Sequence, residues 1–288
     1  MKNKALLAVL AAAALGGAVP VLIKVVVHSV PPMSLVFLRF LFGFLIFIPF
    51  ILGKKFERKH LKKALLITML SVANIIFFVF GIRETTPTIS QTMYAGTPVI
   101  VALFSYYFLK ERFSPKKIVG ILIGLIGVLF IVLIPSLNRL DFKGVTLFGN
   151  LLVLAGVICY SSYFVFSKPM MKHYTPMQMT FLFVTVTLFL STFGLSTEAT
   201  TYGAWWQALT LGNVLALIYL GTIGTSFVYF LFQYATNYGT PVISSLSMYL
   251  APVSTYIWAY VLLGEKLTPE ILGGVVLVFA GAWLVSSA

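Results

Sequence analysis

Apolar runs of roughly 20 residues, parted by short polar or basic stretches, follow one another along almost the whole chain. At 1.5 Å per residue, a helix of that length crosses the ~30 Å hydrocarbon core of a bilayer. Only 9% of the residues are charged and 60% are hydrophobic, with a mean hydropathy of +1.01. A soluble domain carries about 25% charged residues, so this inventory cannot cover a water-soluble surface. The chain is therefore expected to be an all-α integral membrane protein.

Ten spans are predicted, over 5–27, 33–52, 62–82, 86–109, 116–134, 146–167, 176–196, 211–234, 240–263 and 269–287. The net charge of +13 sits in short loops between them, where it acts as a topology signal rather than a nucleic-acid face. With a cytoplasmic N-terminus, the inner loops and termini hold 14 of the 20 Lys and Arg residues, six of them between Lys54 and Lys63. The outer loops hold five, and Arg39 lies within a span. Both termini are thus expected on the cytoplasmic side of the plasma membrane. The start resembles a secretory signal, but "LAVLA" at Leu7 recurs as "LLVLA" at Leu151, which marks it as a structural helix. Cys159 lies alone in an apolar run, so no internal disulfide can form.

That recurrence is general. At an offset of 154, Thr86, Pro87, Pro98, Glu111, Pro115, Gly120 and Gly127 match Thr240, Pro241, Pro252, Glu265, Pro269, Gly274 and Gly281. Earlier in each half the offset is 144: Lys24, Pro32 and Met33 match Lys168, Pro176 and Met177. The longer polar stretch "STEATTYGAWW" absorbs the difference. Two five-helix units, residues 1–137 and 138–288, are expected. Five is odd, so the second enters the membrane inverted relative to the first. Inverted repeats are a signature of secondary transporters, with the substrate site between the halves.

The five-plus-five duplication, the prolines in the fourth and ninth spans, "LKERFSP" and "LGEKLTP" with the glycine-spaced helices that follow, and "LVFLRF" in the second span resemble the EamA branch of the drug/metabolite transporter superfamily. That resemblance implies metabolite export through a central cavity lined mainly by spans 1, 3, 4, 6, 8 and 9.

Candidate cavity groups are polar or aromatic residues in mid-span: Arg39, Asn74, Phe78, Ser90, Gln91, Tyr94, Tyr160, Tyr163, Tyr229, Gln233, Ser244, Ser247 and Tyr249. Arg39 reads either as a counter-charge for a substrate anion or as a snorkelling or carbonyl-capping side chain near the outer surface. Lys24 and Lys168, near span ends, read as snorkelling. Pro98 and Pro252 are expected in mid-helix, as kinks or gating hinges that free the carbonyls of Tyr94 and Met248. The glycines Gly120, Gly124, Gly127, Gly273, Gly274 and Gly281 read as helix packing within the bundle.

All seven acids fall at loops or span ends, so no carboxylate is offered for proton-for-cation exchange. Glu111 and Glu265 are expected to cap the next helix or to pair with Arg112 and Lys266. His28, His60 and His173 appear isolated, and no nucleophile elbow or phosphate loop occurs. No enzyme activity, cofactor or metal site is expected. The expected function is alternating-access transport of small organic metabolites, with outward-moving amino acids the leading class. The alternatives are a carrier for sugar phosphates or drugs, and a passive pore. The partners are a small solute and the lipid bilayer, not nucleic acid; a monomer suffices for transport and a dimer is permitted.

Overall fold

A computed structural model describes residues 2–27, 29–84, 90, 93–137, 147–263 and 269–287. The described residues are almost wholly helical: α1 Lys2–Gly16, α2 Ala18–Val26, α3 Pro32–Ile51, α4 Arg58–Glu84, α5 Thr97–Leu109, α6 Pro115–Leu137 and α7 Leu147–Met170. They continue as α8 Pro176–Tyr202, α9 Leu211–Gly221, α10 Val228–Tyr238, α11 Pro241–Ser245, α12 Ser247–Leu263 and α13 Pro269–Ser287. Among the described residues, six helical stretches are long and apolar enough to cross a bilayer, beginning at Asn3, Pro32, Arg58, Leu147, Pro176 and Leu211. Met93–Leu109 and Leu272–Val285 are shorter apolar helices.

Apolar side chains cover the outside of the bundle as well as its core. Large apolar side chains such as Phe50, Leu66, Tyr107, Phe189 and Trp283 point outward. Ser34, Thr68, Ser71, Asn74 and Gln233 are buried. An apolar belt suits lipid, while the polar groups must find partners inside. Many do so on their own helix: Thr68, Ser161 and Thr187 donate to the carbonyls of Ala64, Val157 and Phe183 at 2.8–2.9 Å.

Local chemistry explains where helices start. Pro32, Pro176 and Pro241 occupy first-turn positions, where a missing N–H costs nothing. Thr175 and Gln178 form a reciprocal capping box, and Thr210 and Thr240 accept from Asn213 N and Ile243 N. Helix α3 lacks a side-chain cap of its own. Glu198, near the end of α8, supplies one: its carboxylate accepts from Met33 N at 2.8 Å, Ser34 N at 2.7 Å and Ser34 Oγ at 2.9 Å. A negative charge there also meets the positive end of the helix dipole.

Several expectations change. The first span is interrupted by a turn at Gly17, and the eighth is split by a π-helical segment, Thr222–Phe227. A turn at Gly96 interrupts the helical stretch Met93–Leu109 two residues before Pro98, which takes a first-turn position of α5. Pro252 does lie inside α12. Part of "STEATTYGAWW" is helical, because α8 runs on to Tyr202 before a 3-10 turn at Trp205–Ala208.

The glycines place α6 against α13. A Cβ on Gly281 would sit 2.6 Å from Gly120 O, and one on Gly127 2.8 Å from Gly274 O. Gly124 faces the Tyr249 ring, whereas a Cβ on Gly273 would meet nothing within 4 Å, so Gly273 takes no part. The other principal pairings are α4 with α7, α3 with α8, α1 with α10, α5 with α7 and α1 with α12.

Candidate functional site

A cavity of about 140 Å³ opens among α1, α2, α3, α4, α7, the π segment, α10, α12 and the turn before α5. Its small walls come from Ala12, Ala13 and Gly16. Of the thirteen candidate residues, Arg39, Asn74, Phe78, Tyr94, Tyr160, Tyr229 and Ser247 line it. The lining residues fall in the first, third, fourth, sixth, eighth and ninth predicted spans, and Arg39 in the second.

The aromatic members form a continuous wall. Phe78 meets Tyr94 edge-on at 5.5 Å between centroids, Tyr94 lies 6.1 Å from Tyr160, and Tyr160 lies 6.1 Å from Tyr229. Tyr229 is in turn stacked on Phe183 at 4.3 Å. Asn74 ties this wall to α7: its Nδ2 donates to the Tyr94 hydroxyl and to Gly156 O at 3.0 Å. Glycine at 156 permits that approach, since a Cβ would lie 3.2 Å from the Tyr94 hydroxyl.

Arg39 is 6% exposed and does not snorkel. Its Nε donates to Thr225 Oγ1, and its guanidinium lies 5.8 Å from the Phe40 ring. Thr225 hands on its own proton to Leu220 O at 2.6 Å, five residues back, a reach that the π segment creates. No carboxylate lies within ion-pair distance of Arg39 among the described residues. The guanidinium is thus a buried charge, fixed at one nitrogen, at the edge of an aromatic cavity.

The remaining candidates lie elsewhere. Tyr249 is fully buried and donates to Ile121 O at 2.8 Å, so it packs α12 on α6. Ser244 donates to Phe232 O at 2.8 Å, closing α11 on α10. Tyr163 packs with Ala64, Met179 and Phe183, and Gln233 and Ser90 are buried away from the cavity. Gln91 lies outside the described residues, as do Glu265 and the Lys24 side chain.

Lys168 also does not snorkel. Its ammonium donates to the carbonyls of Thr236 at 2.6 Å, Asn237 at 2.9 Å and Gly239 at 2.8 Å, capping the C-terminal end of α10. Burial pushes the Glu111 carboxyl up, and the Lys117 and Lys168 charges act against that. His60 and His173 are not isolated: their rings stack at 3.7 Å, and both contact Glu57.

Sequence reading missed Gly224, Val228, Phe232 and the Thr225 bridge. The signal was there in "LGTIGTSF", where two glycines and two threonines interrupt an apolar run with poor helix formers.

The sequence profile of the EamA-like transporter family matches residues 3–133 and again 147–287. The uncharacterised transporter YoaV of Bacillus subtilis is 25% identical over 98% of this chain and 96% of its own length. An uncharacterised transporter of Archaeoglobus fulgidus is 26% identical over 93% and 92%. A WAT1-related protein of Arabidopsis thaliana is 27% identical over 73% of this chain and 63% of its own. A solved crystal structure superposes with a TM-score of 0.79, covering 98% and 97% at 19% identity, which speaks for the fold alone. The family description and the names of the Bacillus and Archaeoglobus relatives are those of transporters, not enzymes. With both matches covering nearly all its residues, the chain belongs to the EamA-like transporter family of the drug/metabolite transporter superfamily, and is an integral membrane protein.

Proposed function

We propose that the protein is a secondary carrier that moves small carboxylate-bearing metabolites, amino acids first among them, outward by alternating access. The observation that carries this reading is Arg39. A charge held inside a span costs about 2.5–3.5 kcal/mol on insertion scales. Here it lines the cavity without a protein counter-ion among the described residues. A guanidinium has five N–H donors in a planar fork that fits a carboxylate. Thr225 occupies one of them. The aromatic wall suits the apolar part of such a solute. A cavity of about 150 Å³ admits a molecule the size of benzene, which sets the scale for one of 140 Å³.

The packing supports two inverted five-helix units making ten crossings. Exchanging the halves pairs α1 and α2 with α7, α3 with α8, α4 with α9 and α10, α5 with α11 and α12, and α6 with α13. Under that exchange the contact of α1 with α10 becomes that of α7 with α4, and α1 with α12 becomes α7 with α5. The contacts α3 with α8 and α6 with α13 map onto themselves. Two matches to one family profile support the same division. The excess of basic residues in alternate loops favours cytoplasmic termini in a plasma membrane. A single chain contains the whole cavity, so a monomer suffices.

A sugar phosphate would call for several cavity cations, and among the described residues Arg39 is the one charged residue in the lining. The test is exchange in proteoliposomes preloaded with an unlabelled amino acid mixture, with uptake of labelled neutral amino acids measured outside. Saturable, trans-stimulated exchange is expected. Flux that stays linear at high solute concentration indicates a pore and overturns the reading.

A further inference from the structure

We propose that Glu57, His60 and His173 form a binding site for a late first-row divalent metal ion, with Zn2+ the representative, pinning two connections that sequence separates by more than a hundred residues. Glu57 lies just ahead of α4 and His60 in its first turn, an i, i+3 spacing that puts both side chains on one face. His173 comes from the short connection between α7 and α8. Glu57 Oε1 is 3.3 Å from His60 Nε2 and Oε2 is 2.9 Å from His173 Nδ1. One ligand atom from each residue lies within 4.8 Å of the others.

In a tetrahedral zinc site with bonds of about 2.0–2.1 Å, ligand atoms stand about 3.3 Å apart. The three atoms therefore need to close by at most about 1.5 Å, while one imidazole swings out of the ring stack. Both rings are free enough to do so, at 26% and 30% exposure. Two imidazole nitrogens and one carboxylate oxygen, leaving a position for water, suit zinc and its neighbours rather than magnesium or calcium.

The backbone beneath is fixed independently of the three ligands. The Tyr174 hydroxyl donates to Glu57 O, Gln178 Nε2 donates to Lys55 O at 2.9 Å, and the Phe56 and Tyr174 rings lie 6.1 Å apart. These contacts orient the ligands from outside, as supporting shells do in metal sites. The exposed Lys54, Lys55, Arg58, Lys59 and Lys172 nearby repel a divalent cation, so coordination bonds, not the surrounding field, must hold it.

The functional consequence rests on the carrier reading. Glu57 and His60 belong to the first proposed unit and His173 to the second. An ion shared between them staples the units together at the end of the bundle where α3 and α7 finish, holding that end shut.

The experiment is calorimetric titration of Zn2+ into the purified full chain, freed of any histidine tag, with Mg2+ as the control. One equivalent of Zn2+ should bind saturably, and Mg2+ should not compete. His60→Gln and His173→Gln should each weaken binding at least tenfold while leaving the unfolding profile without metal unchanged. No saturable binding, or binding that persists unchanged in the His60→Gln/His173→Gln double variant, overturns the proposal. The titration involves no flux, so it stands or falls apart from the transport assay. If transport is also present, Zn2+ should inhibit it in the parent and not in the double variant.

Discussion

Replacing Arg39 by glutamine separates an anchor from a strut. Of the five guanidinium N–H donors, the one on Nε goes to Thr225, leaving four on the two Nη atoms for a ligand. A carboxylate docked on that edge makes two charge-assisted bonds, each contributing about 1.5–3 kcal/mol net. Glutamine keeps an amide donor but not the charge, so about 3 kcal/mol should be lost. At 1.4 kcal/mol per tenfold, the half-saturating concentration for carboxylate substrates rises on the order of 100-fold. Stability should move the other way. Removing an unpaired charge from a span recovers about 2.5–3.5 kcal/mol. Losing the Thr225 bond, also made by a charged donor, costs about 1.5–3 kcal/mol. The apparent unfolding midpoint in detergent should therefore hold or rise. Arg39→Lys should restore little affinity, because an ammonium lacks the planar fork. The assay is exchange flux against substrate concentration, paired with thermal unfolding of the same preparations. Unchanged affinity in Arg39→Gln, or a midpoint several degrees lower, would refute the anchor and make Arg39 a structural residue.

Three further outcomes are expected. Lys168→Met should lower the unfolding midpoint, because three carbonyls at the end of α10 lose a charged donor; about 3–5 kcal/mol is at stake, and Lys168→Arg should recover part of it. Gly281→Ala should cost about 1–3 kcal/mol by pushing a Cβ to within 2.6 Å of Gly120 O, while Gly273→Ala, which meets nothing and lies inside a helix, should hold or raise the midpoint in the same melt, by up to about 1 kcal/mol. Glu111 sets a pH dependence: burial raises its carboxyl pKa in the folded protein above the unfolded value of about 4.3, so its stabilising share is complete below that value and is lost as pH rises through the raised one. Glu111→Gln, neutral throughout, should therefore gain midpoint relative to the parent as pH is taken from about 4 to about 8, and a difference that stays flat across that range contradicts the assignment.

Apolar period and basic-loop asymmetry are local signals, and they were enough to place the long helices, because a segment in lipid must satisfy its backbone within itself. The aromatic wall was partly legible for the same reason: Asn74, Tyr94, Tyr160 and Tyr229 stand out against apolar spans. What stayed hidden depends on tertiary approach. Nothing near Glu198 announces that it caps a helix 164 residues earlier. Nothing near Lys168 points to the carbonyls of Thr236, Asn237 and Gly239. Tyr249 looked as good a cavity residue as Tyr229, yet the glycine at 124 opens a slot that draws its ring toward α6. Pro98 marks a break, but not its exact place: the turn falls at Gly96, two residues before the proline.

The Glu198 cap also sets what any separation of α3 from α8 would require. The first amides of α3 have no acceptor in their own helix, and the carboxylate from α8 is their partner. Drawing α3 away from α8 bares both sides of that bond at once. In a dry setting each bared group costs several kcal/mol. Separation at this end is therefore a wetting transition: α3 and α8 can move apart only as water arrives to solvate what they release. Solvent exchange of the Met33 and Ser34 amide protons is the clock for that step.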